Sequence, residues 1–100
     1  QKEVKNVRKY EAMLILVPNL EEENRNQLLD RFKGIIEKDG TITNVDEWGT
    51  RKLAYEIEDY KEGYYVVMNF EANPDVVKEL DRVSRISDGV IRHMIIREDE

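Results

Sequence analysis

Cysteine is absent from this 100-residue chain. No disulfide framework can brace the fold and no thiolate can hold a metal, which fits a reducing compartment. Histidine occurs once, as His93, and serine only as Ser84 and Ser87. Neither serine has a base at readable spacing, and a nucleophile or general base needs a second, oriented partner. His93 therefore reads as an ordinary residue of a strand. No glycine-rich phosphate loop precedes a helix. No apolar run approaches the length needed to cross a bilayer. The first eight residues lack the apolar core of a signal peptide. A cytoplasmic protein without catalytic residues, metal or cofactor is expected, with neither a membrane nor a small-molecule substrate among its partners.

What the chain has in quantity is charge. Acids outnumber bases, for a net charge of −6. That argues against nonspecific adhesion to nucleic acid, yet local potential governs association as much as total charge does. The signs are segregated. Lys2, Lys5, Arg8 and Lys9 crowd the first ten residues, and Glu98, Asp99 and Glu100 stand at the other end. Glu21 to Glu23 and Glu98 to Glu100 read as helix-start and solvated acids, since neither run has the spacing of a calcium loop.

The length suits one domain with its own core. Residues 1–8 read as a flexible lead-in, 9–97 as the domain and 98–100 as an acidic end. Lys9 to Val17 is apolar on both faces and reads as a central strand stopped by Pro18. Asn19 is placed to cap a helix, with Glu22 in capping-box register. The helix runs from Leu20 to Asp39, carries Leu28, Leu29, Phe32, Ile35 and Ile36 at helical spacing, and ends on Gly40 as a C′ residue. Gly34 inside it costs about 1 kcal/mol against Ala, which suggests tight packing. Thr41 to Ile57 is the second strand, Glu58 to Gly63 a polar turn, and Tyr64 to Phe70 the third strand, paired with the second as a hairpin. Asn73 and Pro74 open a second helix with Val76, Val77, Leu80 and Val83 on one stripe and Ile86 close to it. Val90 to Arg97 is the last strand.

The order β-α-β-β-α-β with right-handed crossovers gives an α+β, ferredoxin-like split βαβ fold. Its sheet is four-stranded and antiparallel, and both helices lie on one face. The first and third strands are central. The opposite face, carrying Met13, Ile15 and Val17 or else their alternates, is bare of helices and is a candidate contact surface.

The stretch Trp48 to Ile57 organises the rest. With period two, Arg51, Leu53, Tyr55 and Ile57 share one face, while Trp48, Thr50, Lys52, Ala54 and Glu56 share the other. Gly49 interrupts it as a bulge or close backbone approach would. Arg51, Lys52, Arg92 and Arg97 lie on edge strands, and Arg8 and Lys9 lead into a central one. Arginine pairs bidentately with phosphate and aromatics stack on unpaired bases, so these cations among Tyr10, Trp48, Tyr55, Tyr64 and Tyr65 suit RNA. The basic-glycine-aromatic spacing of RNA-recognition sheets is missing.

Several motifs together resemble the bacterial small-subunit ribosomal protein six family. They are Arg8-Lys9-Tyr10-Glu11, Pro18-Asn19, Asp46-Glu47-Trp48-Gly49, Arg51-Lys52-Leu53-Ala54-Tyr55-Glu56-Ile57, Gly63-Tyr64-Tyr65 and Ile91-Arg92-His93-Met94. The resemblance covers about residues 8 to 98. It implies a non-catalytic, ferredoxin-like component of the small ribosomal subunit. Such a component pairs with small-subunit ribosomal protein eighteen and binds the central domain of 16S ribosomal RNA during platform assembly. By motif, Arg8, Lys9, Tyr10, Arg92 and Arg97 are expected near RNA, and Trp48, Arg51, Lys52 and Tyr55 near the protein partner. Residues 1–7 precede the family's usual start, and no role is carried over to them. Two other readings compete. One is a protein-only module that self-associates through the helix-free face or the second-strand edge. The other is an acylphosphatase-type enzyme, disfavoured because the acidic stretch after Pro18 would repel phosphate.

Overall fold

A computed structural model describes residues 7–57 and 59–98. The elements are β1 (Arg8–Leu16), α1 (Glu22–Asp39), β2 (Gly40–Ile57), β3 (Tyr60–Ala72), α2 (Pro74–Ile86) and β4 (Val90–Arg97). The strands form one sheet in the order β2-β3-β1-β4, and all three pairings are antiparallel. The expected ferredoxin-like arrangement is present. Of the expected lead-in, residues 1–6 lie outside the described residues, and Arg8 already belongs to β1. Of the acidic end, residues 99 and 100 lie outside them.

Alternation on β1 decides which side is the core. Tyr10, Ala12, Leu14 and Leu16 are buried under the helices with Val66, Met68, Phe70 and Ala72 of β3. Leu29, Phe32 and Ile36 of α1 and Val76, Leu80 and Val83 of α2 close that layer. Met13, Ile15 and Val17 point to the helix-free face. There Ile15, Leu53 and Ile91 form a second, smaller buried cluster, with Val17, Ile57, Tyr60 and Tyr65 packed against it.

Four local expectations are corrected. Asn19 lies in a turn, and the N-cap of α1 is Glu21, which makes no side-chain capping bond. Leu20 is instead spent as an anchor against the core. Three fully buried side chains, each contributing roughly 1.5–3 kcal/mol, hold α1 without a cap. Gly40 is not a left-handed C′ residue: its backbone is extended (φ −155°) and it starts β2. A Cβ there would come within 2.6 Å of the Glu71 carbonyl and 2.7 Å of the Ala72 Cβ, so close strand approach selects glycine. Gly34 meets open space rather than tight packing, since a Cβ added there finds nothing within 4 Å. Ile86 is exposed, off the α2 stripe.

The hairpin is longer than its polar sequence suggests. Lys61, Glu62 and Gly63 belong to β3, and the turn tightens onto Asp59 at φ 71°, with Glu58 outside the described residues. Since β1 stops at Leu16 opposite Tyr64, the far ends of β2 and β3 run on past the rest of the sheet. Gly63 is buried where a side chain would collide with Ile15 Cγ2. At the start of α2 the expectation holds: the Asn73 side chain accepts from the backbone N–H groups of Asp75 and Val76 at 3.0 and 3.3 Å.

Candidate RNA and protein interfaces

Antiparallel pairing of the first strand with the last brings separated cations together. Tyr10 lies opposite Arg97, and the Glu98 N–H donates to the Lys9 carbonyl at 2.8 Å. Arg8, Lys9 and Arg97 thus share one end of the sheet. Lys9 and Arg97 are exposed and Arg8 is half-buried. Lys9 has acidic neighbours as well: Glu71 lies opposite it, and the Glu98 carboxylate accepts from Asn69 Nδ2 at 2.6 Å.

Tyr10 does not join that group. It is 8 % exposed on the helix side, its ring stacked on Phe70 at 5.6 Å. Even-numbered β1 residues face the core, so this ring packs and is not offered to a base. Arg92 is also separate. It sits opposite Ile15, toward the other end of β4, on the helix-free face.

The second group surrounds the bulge at Gly49. Period two put Trp48 and Arg51 on opposite sides. The structure shifts register between Glu47 and Gly49, with Gly49 at φ 87°, and so brings them together. The Trp48 ring stacks on Tyr65 at 6.0 Å and 10°, and the Arg51 guanidinium lies 5.5 Å from the Trp48 ring centre. Trp48 Nε1–H donates to Asp46 Oδ2 at 3.0 Å, which fixes the ring in its plane. Arg51 is therefore held by a cation–π contact instead of sweeping freely through water. Lys52 pairs across to Glu62, one step along the strand from Arg51 and so on the other side. Tyr55 is 67 % exposed near the hairpin tip.

Two clusters escaped the sequence reading because their members are far apart in the chain. The Arg25 guanidinium stands 4.2 Å from the centre of the Tyr64 ring, whose hydroxyl donates to Glu47 Oε1 at 2.6 Å. The bond to Glu47, and then burial, push Tyr64 above its ordinary value. At the β4 edge of the sheet, on the same helix-covered face, His93 Nε2 meets Asp81 Oδ1 at 2.6 Å, and Asp81 also takes Arg85 at 2.6 Å. His93 thus has the satisfied strand role expected of it.

Among the described residues no group of three or more His, Cys, Asp or Glu is placed to hold a metal ion, and no helix is long and apolar enough to cross a membrane. Exposed cations, a supported aromatic stack and a half-apolar bare sheet face are the features the fold presents. They define a small ferredoxin-like binding domain, one that works by surface contact. Residues 9–97 match the family described as Ribosomal protein S6, and the chain belongs to that family. It is 67 % identical over 89 residues to small ribosomal subunit protein bS6 of Alkaliphilus oremlandii, covering 89 % of this chain and 95 % of that protein. It is 58 % identical over 95 residues to the bS6 of Caldanaerobacter subterraneus subsp. tengcongensis, covering 94 % and 100 %. The crystal structure of 30S ribosomal protein S6 from Thermotoga maritima superposes with a TM-score of 0.87 at 39 % identity, covering 93 % of this chain and 89 % of that one. Family membership makes this chain a structural, non-enzymatic component of the small subunit of the cytoplasmic ribosome, associated with ribosomal RNA.

Proposed function

We propose that the chain binds the central domain of 16S ribosomal RNA jointly with small-subunit ribosomal protein eighteen as the platform assembles. The observation that carries this reading is the placement of Arg8, Lys9 and Arg97 at one end of the sheet, across its two faces, with the Trp48–Arg51 group on another part of the surface. The first group supplies cations to phosphate. The second offers an ordered, half-apolar surface to a protein. With a net charge of −6 and acids beside Lys9, the chain alone is a weak anion binder, so a basic partner completes the phosphate neutralisation.

The test is a gel-shift titration on the central-domain RNA with this protein alone, protein eighteen alone, and both, at two salt concentrations. Tight binding only by the pair is expected. Equal binding by either protein alone would remove the joint mechanism. A second reading has a specific observation behind it. Met94 and Ile96 are 46 % and 49 % exposed on the helix-free face, as a self-associating module would leave them. Sedimentation of the free protein that shows a concentration-dependent dimer would favour it.

A further inference from the structure

We propose that Arg92 is a protein-docking residue and that the helix-free face around it takes a partner segment in which a carboxylate is flanked by two apolar side chains. This rests on the reading above and names the chemistry of the partner's contact. Two depressions lie side by side on that face, and Ile15, Tyr65 and Arg92 line both. One adds Met13, His93 and Met94; the other adds Leu53, Ala54, Tyr55 and Ile57. Their volumes, about 240 and 120 Å³, fall below the range of roughly 300–1,000 Å³ that small-molecule sites occupy. Each suits one inserted side chain.

Arg92 lines both depressions and is exposed. Arg51, fixed on Trp48, stands toward the hairpin end of the same face. Neither arginine has an ion-pair partner among the described residues, whose ion pairs are Arg82–Glu79, Arg85–Asp81 and His93–Asp81. An arginine without an ion pair among the described residues, lining two largely apolar hollows, is complementary to a carboxylate with apolar neighbours. RNA fits less well. A phosphate backbone asks for cations in succession, whereas the next residues of β4 on this face are Met94 and Ile96, and Glu11 and Asp46 lie on the same surface.

The experiment titrates protein eighteen calorimetrically into the wild-type chain, Arg92→Ala and Met94→Glu, with thermal melts to show that both variants are folded. In parallel, the salt dependence of binding to central-domain RNA is measured for Arg92→Ala in the pair. Both variants are expected to weaken pairing by about tenfold or more, as truncation of an anchor does. At a partner concentration that restores the pair, the salt slope on RNA should match that of the wild type. Wild-type pairing by both variants overturns the assignment while leaving the joint function standing. So does a slope reduced by about one, which would give Arg92 to phosphate. Failure of the wild-type chain to pair at all removes the joint function itself, and this docking with it. A wild-type homodimer that Arg92→Ala dissociates would name a second copy as the occupant and overturn the proposal.

Discussion

His93 Nε2 lies 2.6 Å from Asp81 Oδ1 and ties edge strand β4 to α2. An ionised carboxylate only accepts, so Nε2 carries the proton. The His93 bond, followed by the charge of Arg85, holds Asp81 below the usual carboxylate range. A group depressed in the folded state stabilises above its unfolded value and loses that contribution as pH falls through the folded one. Asp81→Asn should therefore cost stability at neutral pH. The cost should be about 0.5–1 kcal/mol, because the carboxylate is 42 % exposed and solvent screens it. In urea titrations over a pH series, the gap between wild type and variant should be full above the ordinary carboxylate range and close in acid. A gap independent of pH would contradict the linkage.

Gly34 faces open space in the middle of α1, with nothing for a methyl group to strike. Replacing it with Ala removes backbone freedom from the unfolded chain at no packing cost. Gly34→Ala is expected to stabilise by about 0.8–1 kcal/mol, read as a higher urea midpoint at unchanged slope. A lower midpoint would mean that the position needs glycine for a reason other than space.

Gly63 is the opposite case. A Cβ there would run into Ile15 Cγ2, part of the small cluster that joins the hairpin to the sheet. Gly63→Ala should destabilise by about 1–3 kcal/mol as an overpacked site does. The penalty should shrink when Ile15 is first cut to Ala, so the double mutant would be non-additive. Strict additivity would show that the two positions do not collide.

For RNA, Arg8→Ala and Lys9→Ala in the pair with protein eighteen should each flatten the salt dependence by about one unit of slope. Tyr10→Phe should leave both affinity and slope unchanged, because the ring lies in the core against Phe70. Loss of affinity in Tyr10→Phe would place its hydroxyl on the RNA despite the burial.

Much of this architecture was legible because it depends on periodicity. Alternation in β1, the Leu29–Phe32–Ile36 stripe and the Asn73–Pro74 cap all declare themselves locally. The misses arose where distant backbone decided. Gly40 looked like a helix terminator but answers to the chain at Glu71 and Ala72. Trp48 and Arg51 alternate in sequence, yet one bulge makes them neighbours. The motif Arg8-Lys9-Tyr10 reads as one basic unit, but strand geometry splits it, sending Tyr10 inward. Arg92 was grouped with the terminal cations as a basic motif position of the last strand, and the register against Ile15 separates it from them.

Of the four described strands, the one made first is the one that the sheet is built around. β1 sits between β3 and β4, and its Tyr10 waits for Arg97. During synthesis the β2–β3 hairpin and the first helix can form while β1 still has one bare edge. That edge closes only when β4 has left the exit tunnel. Long-range pairing of this kind is slow because the loop must close before contacts reward it. A nascent chain arrested before Val90 should therefore display an unpaired, apolar strand to its surroundings, and is most exposed to mispairing and capture by chaperones in that window.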